Sequence, residues 1–184
     1  MNRKRVALGV VLIAISVIGL LAISIYQART ENIDRALSIA ERYLASLNDP
    51  DLAIDELMEF ELNYYVIYSE KSTGIGAFEM LIDKDTGRIF PEYGPNMMWN
   101  TKYGHAGMMG GWQQVPSGEM PIGQEEAVSI AQEFLDRYLP GAVAEDPHRF
   151  YGYYTIHVTR NGKIYGMLSV NGYNGLVWYH NWHG

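Results

Sequence analysis

The chain has 184 residues and a net charge of −7, and 48% of its residues are hydrophobic. This length suits one compact domain or two small ones, and the apolar content is sufficient for a buried core. The acidic balance argues against a nucleic-acid binder, and the absence of cysteine excludes disulfide scaffolds, thiol enzymes and cysteine-based zinc sites.

The N-terminal segment has the pattern of a membrane anchor. Basic residues at 3–5 precede an uncharged, mostly apolar run at 6–26. At about 1.5 Å per residue, a helix of this length crosses a hydrocarbon core of about 30 Å. Tyr26 stands where a cleaved signal peptide would need a small residue. We therefore predict a basic cytoplasmic tail at 1–5, a single transmembrane helix at 6–27 in the lipid bilayer of the cell membrane, and an extracytoplasmic remainder.

Residues 28–93 are predicted to form a first unit of one helix and several strands. The helix is expected to start at Thr30 or Asn32 and to stop at 48–50, with an apolar stripe at helical spacing: Ile33, Leu37, Ala40, Leu44 and Leu47. Alternation then predicts one strand over 58–68, with one face formed by Met58, Phe60, Leu62, Tyr64, Val66 and Tyr68. A strand at 77–83 leads into a turn at 85–87.

Residues 121–184 are predicted to form a second unit of the same kind, after a connecting loop at 94–120. Its helix carries Ala127, Ala131 and Leu135 on one stripe and ends at Pro140. Asn161-Gly162 predicts a hairpin between strands at 155–160 and 163–170. Together, the two units predict an α+β fold in which each helix packs on an antiparallel sheet.

The two units are related as an internal repeat. Residues 36–44 recur at 127–135 with five of nine positions identical, and an aromatic strand and a turn follow in the same order. The order of this helix, a Tyr-Tyr strand and the turn motif at 83–89 (Asp-Lys-Asp-Thr-Gly-Arg-Ile) resembles the PepSY family. The resemblance implies tandem extracytoplasmic modules without catalytic residues, which regulate or bind a partner protein or peptidase.

The connecting loop and the C-terminus carry an unusual set of methionine, histidine and tryptophan residues. Five of the nine methionines lie between Met97 and Met120. Thioether and imidazole groups are ligands that Cu(I) accepts. One hypothesis is therefore a copper-binding or copper-delivery site formed by Met97, Met98, His105, Met108, Met109, His180 and His183.

Two other interpretations of these segments stay open. In the first, methionine and tryptophan form an apolar plug between the two units, because methionine fills gaps and packs on aromatic rings. In the second, an exposed surface binds a partner protein through Trp99, Trp112, Trp178 and Trp182.

Catalysis is the function class that the sequence favours least. No zinc-protease, serine-hydrolase or nucleotide-binding motif occurs in the chain. His157 falls on the polar face of its predicted strand and His148 follows a proline, but neither has a nearby partner in the sequence. We therefore predict a binding protein and not an enzyme.

Overall fold

The computed structural model describes residues 3–104 and 118–182, with side chains at 18, 21–27 and from 31 onward. Its contacts divide the chain into two compact parts, Met1–Ser38 and Ile39–Gly184. Helix α1, Arg3–Leu47, forms the described portion of the first part and supplies the first residues of the second. Both sheets of the molecule belong to the second part.

Helix α1 is longer than the helix expected for the first repeat. The predicted start at Thr30 or Asn32 is wrong, because the helix passes through both residues. No glycine or proline follows Gly19 within α1, so nothing in the sequence interrupts it there. The helix ends at Leu47, at the predicted stop, where Asn48 takes a φ of 53°.

The predicted membrane span at 6–27 falls within α1. Its side chains at 6–17, 19 and 20 lie outside the described residues. Within the described part of the chain, no helix combines the length and the apolar character needed to cross a bilayer.

Two separate four-stranded antiparallel sheets confirm the predicted α+β class. The first sheet has strands in chain order: β1 Leu52–Glu59, β2 Asn63–Glu70, β3 Gly76–Asp83 and β4 Ile89–Pro91. A short helix α2, Pro95–Met98, and a longer helix α3, Gln124–Tyr138, follow in the chain. The second sheet repeats the same order: β5 Val143–Arg149, β6 Tyr153–Arg160, β7 Lys163–Asn171 and β8 Val177–Tyr179.

The single strand predicted over 58–68 is wrong, because it is two strands joined by a tight turn. The Phe60 N–H donates to the Asn63 carbonyl at 2.9 Å, and Met58 pairs with Tyr65. Paired residues share a face, so Met58 lies on the side of Tyr65 and not on that of Tyr64. The turn residues Glu61 and Leu62 carry no glycine, proline or asparagine signal, and the alternation therefore continues through them.

The other turns follow their sequence signals. Asn161 and Gly162 have φ values of 53° and 69°, as a two-residue hairpin of type I′ requires. Asp83 Oδ1 accepts the Thr86 N–H at 2.8 Å, and Asn171 Oδ1 accepts the Asn174 N–H at 3.2 Å in the second repeat. The same local hydrogen bond thus closes equivalent turns in both repeats.

The second sheet is packed on both faces. Helix α3 buries Ala127, Ala131 and Leu135 against one face, as its stripe predicts. The other face meets the first sheet in a shared core of Met58, Phe60, Tyr65, Ile67, Leu81, Phe150, Tyr153 and Met167. The contact between the sheets brings β1 of the first repeat to β5 and β6 of the second.

Candidate metal centre

Three side chains from three strands converge where the two sheets meet. Glu56 Oε2 lies 3.1 Å from His148 Nε2 and 3.1 Å from His157 Nε2. The two imidazole rings are 5.3 Å apart between centroids. Among the described residues, these three form the one group of at least three histidine or acidic side chains whose ligand atoms all lie within 4.8 Å of one another.

Strand register places the two histidines beside each other. His148 on β5 pairs with Thr155 on β6, so His157 is its diagonal neighbour on the same face. Strand β1 carries Glu56 to the same point from the other sheet. The site therefore exists only when both repeats are in place.

A β-bulge stands beside the site in each repeat. The pairing of β1 with β2 shifts register between Ile54 and Glu56, and that of β5 with β6 shifts between Glu145 and Pro147. The extra residues are Asp55 and Asp146, which are 91 positions apart, the same offset as the helix repeat. Bulges redirect neighbouring side chains, and both of these aspartates turn toward the histidines.

Each histidine has a second carboxylate at its other ring nitrogen. Asp55 Oδ2 lies 3.5 Å from His148 Nδ1, and Asp146 Oδ2 lies 3.7 Å from His157 Nδ1. In metal sites, a carboxylate on the far nitrogen of a histidine ligand sets its tautomer and raises its basicity. At these ion-pair distances the two aspartates place negative charge behind both rings, while both Nε2 atoms lie next to Glu56.

The electrostatics of the cluster favour an ionised glutamate. Burial opposes this state, but hydrogen bonds from His148 and His157 outweigh burial and lower the pKa of Glu56 to about 2. Burial likewise opposes the charge on His148, while Glu56 and Asp55 raise the pKa of this histidine overall. With no cation bound, the raised pKa of His148 favours a proton on this imidazole next to the ionised Glu56.

The cluster opens to solvent through a shallow pocket of about 410 Å³. The side chain of His157 is only 5% exposed, whereas that of Asp146 is 76% exposed. The pocket is lined by Asp55, Glu56, Gln124, Asp146, Pro147, His148 and His157. An ion can therefore reach the three donors from one side without rearrangement of the core.

The donor set points to a borderline divalent transition metal. Two imidazole nitrogens and one carboxylate oxygen suit Zn(II) or Cu(II), and three protein ligands are typical of sites that keep a position open. The described lining of the pocket contains no methionine, so the site differs in softness from the predicted Cu(I) site.

None of the predicted copper ligands that the structure describes lines this pocket. Met97 lines an apolar groove with Tyr43, Phe78 and Met80, and Met98 is 51% exposed. His180 is buried, with its Nε2 2.9 Å from Ser169 Oγ and its ring against Trp182. His105, Met108, Met109 and His183 lie outside the described residues.

The tryptophans divide between core and surface. Trp99 and Trp182 pack against the core between the sheets, and Trp182 stacks on Tyr65 with ring centroids 5.5 Å apart. This favours the packing interpretation for these two residues. Trp178 is 40% exposed and lies against Gly94, while Trp112 is outside the described residues.

The sequence indicates the two histidines but not their partner Glu56. Glu56 is 92 residues from His148 in the chain, and its strand belongs to the other repeat. The available signal is the internal repeat, since Asp55 and Asp146 occupy equivalent positions, directly before Glu56 and two residues before His148.

No protein-family model matches the chain. No curated protein and no solved structure matches it either.

Proposed function

We propose that this protein is a membrane-anchored, extracytoplasmic binding module that holds a divalent transition-metal ion of the Zn(II) or Cu(II) class. The observation that carries the proposal is the convergence of Glu56, His148 and His157, each histidine backed by its own aspartate. Metal binding is also the hypothesis drawn from the connecting loop and the C-terminus, but these ligands lie where the two sheets meet.

The charge of the cluster supports an ion in preference to a purely structural ion-pair network. Glu56, Asp55 and Asp146 supply three carboxylates, and the described lining of this pocket contains no lysine or arginine. A dication would offset this negative charge and bind the two Nε2 atoms and Glu56 Oε2 at once.

The composition of the pocket favours binding over catalysis. Once the three ligands and the two aspartates behind them are assigned, only Gln124 and Pro147 remain among the described lining residues. Neither residue can act as a nucleophile or a general base at neutral pH. We propose binding on the basis of these side chains, and a water on the open position of the ion is the one nucleophile that the site itself would supply.

The proposal is tested by metal competition on the purified full chain. Zn(II) and Cu(II) are titrated separately against a chelator of known affinity, beside Glu56→Gln and His157→Gln variants. We expect one ion per chain and a loss of affinity of about 100-fold or more in each variant, since each loses one of three ligands. Glu61→Gln is the matched control, because Glu61 is exposed and lies in the turn after β1.

A second variant set distinguishes this site from a site in the connecting loop at 94–120. His105→Ala, Met108→Leu and Met109→Leu are combined in one chain and titrated in the same way, with Cu(I) included. Unchanged Zn(II) and Cu(II) binding in this triple variant supports the junction site. Binding that survives Glu56→Gln and His157→Gln but is lost in the triple variant would contradict the proposal.

Binding of a partner protein or peptidase is a second proposed function, and it follows from the PepSY resemblance. The observation that favours it is Trp178, which stays 40% exposed beside Gly94. A pull-down from membranes with the wild-type chain and with Trp178→Ala tests it, with Leu62→Ala as an exposed apolar control. We expect a partner retained by the control and lost with Trp178→Ala; identical captures by all three chains would speak against it.

The membrane anchor at 6–27 is likewise a proposal, and it is supported by the uncharged run after three basic residues. We expect the full chain to resist extraction of membranes with alkaline carbonate, and Leu12→Arg with Ile15→Arg to abolish that resistance. Release of the wild-type chain by carbonate would contradict the anchor.

A further inference from the structure

We infer that the metal at Glu56, His148 and His157 keeps a coordination position for an external neutral nitrogen donor, an imidazole side chain presented by a partner peptide. This inference rests on the proposed function and adds the ligand class that the site accepts from outside.

The geometry leaves at least one position of the ion unfilled by the described residues. Three protein donors are one fewer than the four that a tetrahedral zinc site uses. The unfilled side faces the open pocket, whose remaining lining residues are Gln124 and Pro147. Proline offers no side-chain donor, and the amide oxygen of Gln124 is a hard ligand better suited to Mg²⁺ or Ca²⁺.

The negative charge around the site favours a neutral external ligand over an anion. Three carboxylates, those of Glu56, Asp55 and Asp146, surround a dication, and the described lining contains no lysine or arginine. An incoming anion therefore meets a net negative site, whereas a neutral donor meets no such penalty. The N-terminus of α3 does not reverse this balance, because its first turn carries Glu125 and Glu126.

The chemical softness of Zn(II) and Cu(II) also favours a nitrogen ligand. Imidazole is a preferred ligand of Zn(II) and Cu(II), and it carries no charge at neutral pH when metal-bound through its free nitrogen. A histidine of a partner entering the pocket would complete the coordination sphere, and its departure would leave the ion with three protein ligands. The open position thus suits a histidine presented by another chain.

The test uses the full chain saturated with Cu(II), whose visible absorption and electron paramagnetic resonance (EPR) spectra report the ligand set. Imidazole and azide are titrated separately, and the ratio of their half-saturation concentrations is measured. We expect imidazole to change both spectra at a concentration well below that needed for azide. In a chain with Asp55→Asn and Asp146→Asn, the advantage of imidazole over azide should fall about tenfold, because two negative charges are removed.

The control removes two charges elsewhere. Glu61→Gln combined with Glu133→Gln changes exposed residues of the β1–β2 turn and of α3, and it should leave the ratio unchanged. A protein-bound Cu(II) spectrum that saturating imidazole does not alter would overturn the inference and leave the proposed function standing. The same holds if azide binds the wild-type chain as readily as imidazole. Absence of any protein-bound Cu(II) spectrum would overturn both.

Discussion

Glu92 is a fully buried carboxyl group of the inter-sheet core, away from the proposed ion. Its Oε1 accepts the Trp182 Nε1–H at 3.0 Å, while Oε2 is buried with no hydrogen-bond partner in the described structure. Burial, reinforced by the nearby charge of Glu79, raises the pKa of Glu92 to about 9. The nearby His180 offers no compensating charge, because burial lowers its pKa to about 3.

This raised pKa predicts a stability that decreases with rising pH. The ordinary pKa of a glutamate is 4.5, so between that value and about 9 the folded chain keeps a proton that the unfolded chain has lost. The stabilisation is complete below pH 4.5 and is lost as the pH rises through about 9. Relative to Glu92→Gln, the wild-type chain should lose on the order of 1 kcal/mol of unfolding free energy per pH unit. Denaturant unfolding at several pH values checks this, and parallel curves for the two chains would refute it.

Asp146 is predicted to act on metal affinity without touching the ion. It lies behind His157, and its φ of 48° is a left-handed conformation that asparagine also tolerates. Asp146→Asn should therefore preserve the fold while weakening metal binding about 10- to 100-fold. Asp136→Asn, on the exposed side of α3, is the matched control. Equal affinities of the two variants in chelator competition would show that Asp146 does not support His157.

At the scale of single elements, two glycines with positive φ differ in what surrounds them. A Cβ on Gly152, in the β5–β6 turn, would overlap the carbonyl oxygen of Trp99, whereas a Cβ on Gly162, in the β6–β7 turn, would meet no atom within 4 Å. Gly162→Ala should therefore cost only the backbone penalty of about 1 kcal/mol. Gly152→Ala adds a clash with the backbone and should cost at least about 2 kcal/mol more.

Denaturant unfolding of both variants at one pH measures this difference. Similar losses of unfolding free energy for the two substitutions would mean that the Trp99 segment moves aside without an energetic cost. It would then follow that this segment does not brace the β5–β6 turn.

The turns also show which elements the sequence could predict. Asn161 and Gly162 both have the left-handed backbone of a type I′ turn, which these residue types favour. The sequence therefore predicts the hairpin directly. Glu61 and Leu62 are not typical turn residues, so the alternation predicts one strand where the chain forms two. Strand β5 was not predicted because its sequence contains Pro147, Asp146 and His148, which are the residues of the bulge and the site.

At the scale of the whole molecule, the site joins two repeats that are separate in sequence. Helical spacing and the 91-residue offset are visible in the sequence without knowledge of which strands pack together. They therefore predict the α+β class and the repetition. Which strand of one repeat meets which strand of the other depends on the shared core around Tyr65 and Phe150. No periodicity encodes that contact, and Glu56 was therefore not assigned to the histidines.

Because the donors come from both sheets, metal binding should stabilise the junction of the repeats. An ion that binds only the folded chain adds about 2.7 kcal/mol at a concentration 100 times its Kd. For a chain of this size we expect the midpoint of thermal unfolding to rise by several degrees with Zn(II). Glu56→Gln should remove the rise and Glu61→Gln should keep it. Equal rises of the unfolding midpoint in both variants would show that the ion binds at another site.

The most direct test of the junction site counts imidazole ligands on the bound ion. Pulsed EPR of the full chain loaded with one equivalent of Cu(II) detects the remote nitrogen of each coordinated histidine. Two imidazoles are predicted for the wild-type chain, and one for each of the variants His148→Gln and His157→Gln. A count that stays the same in both variants would contradict the assignment of the ion to Glu56, His148 and His157.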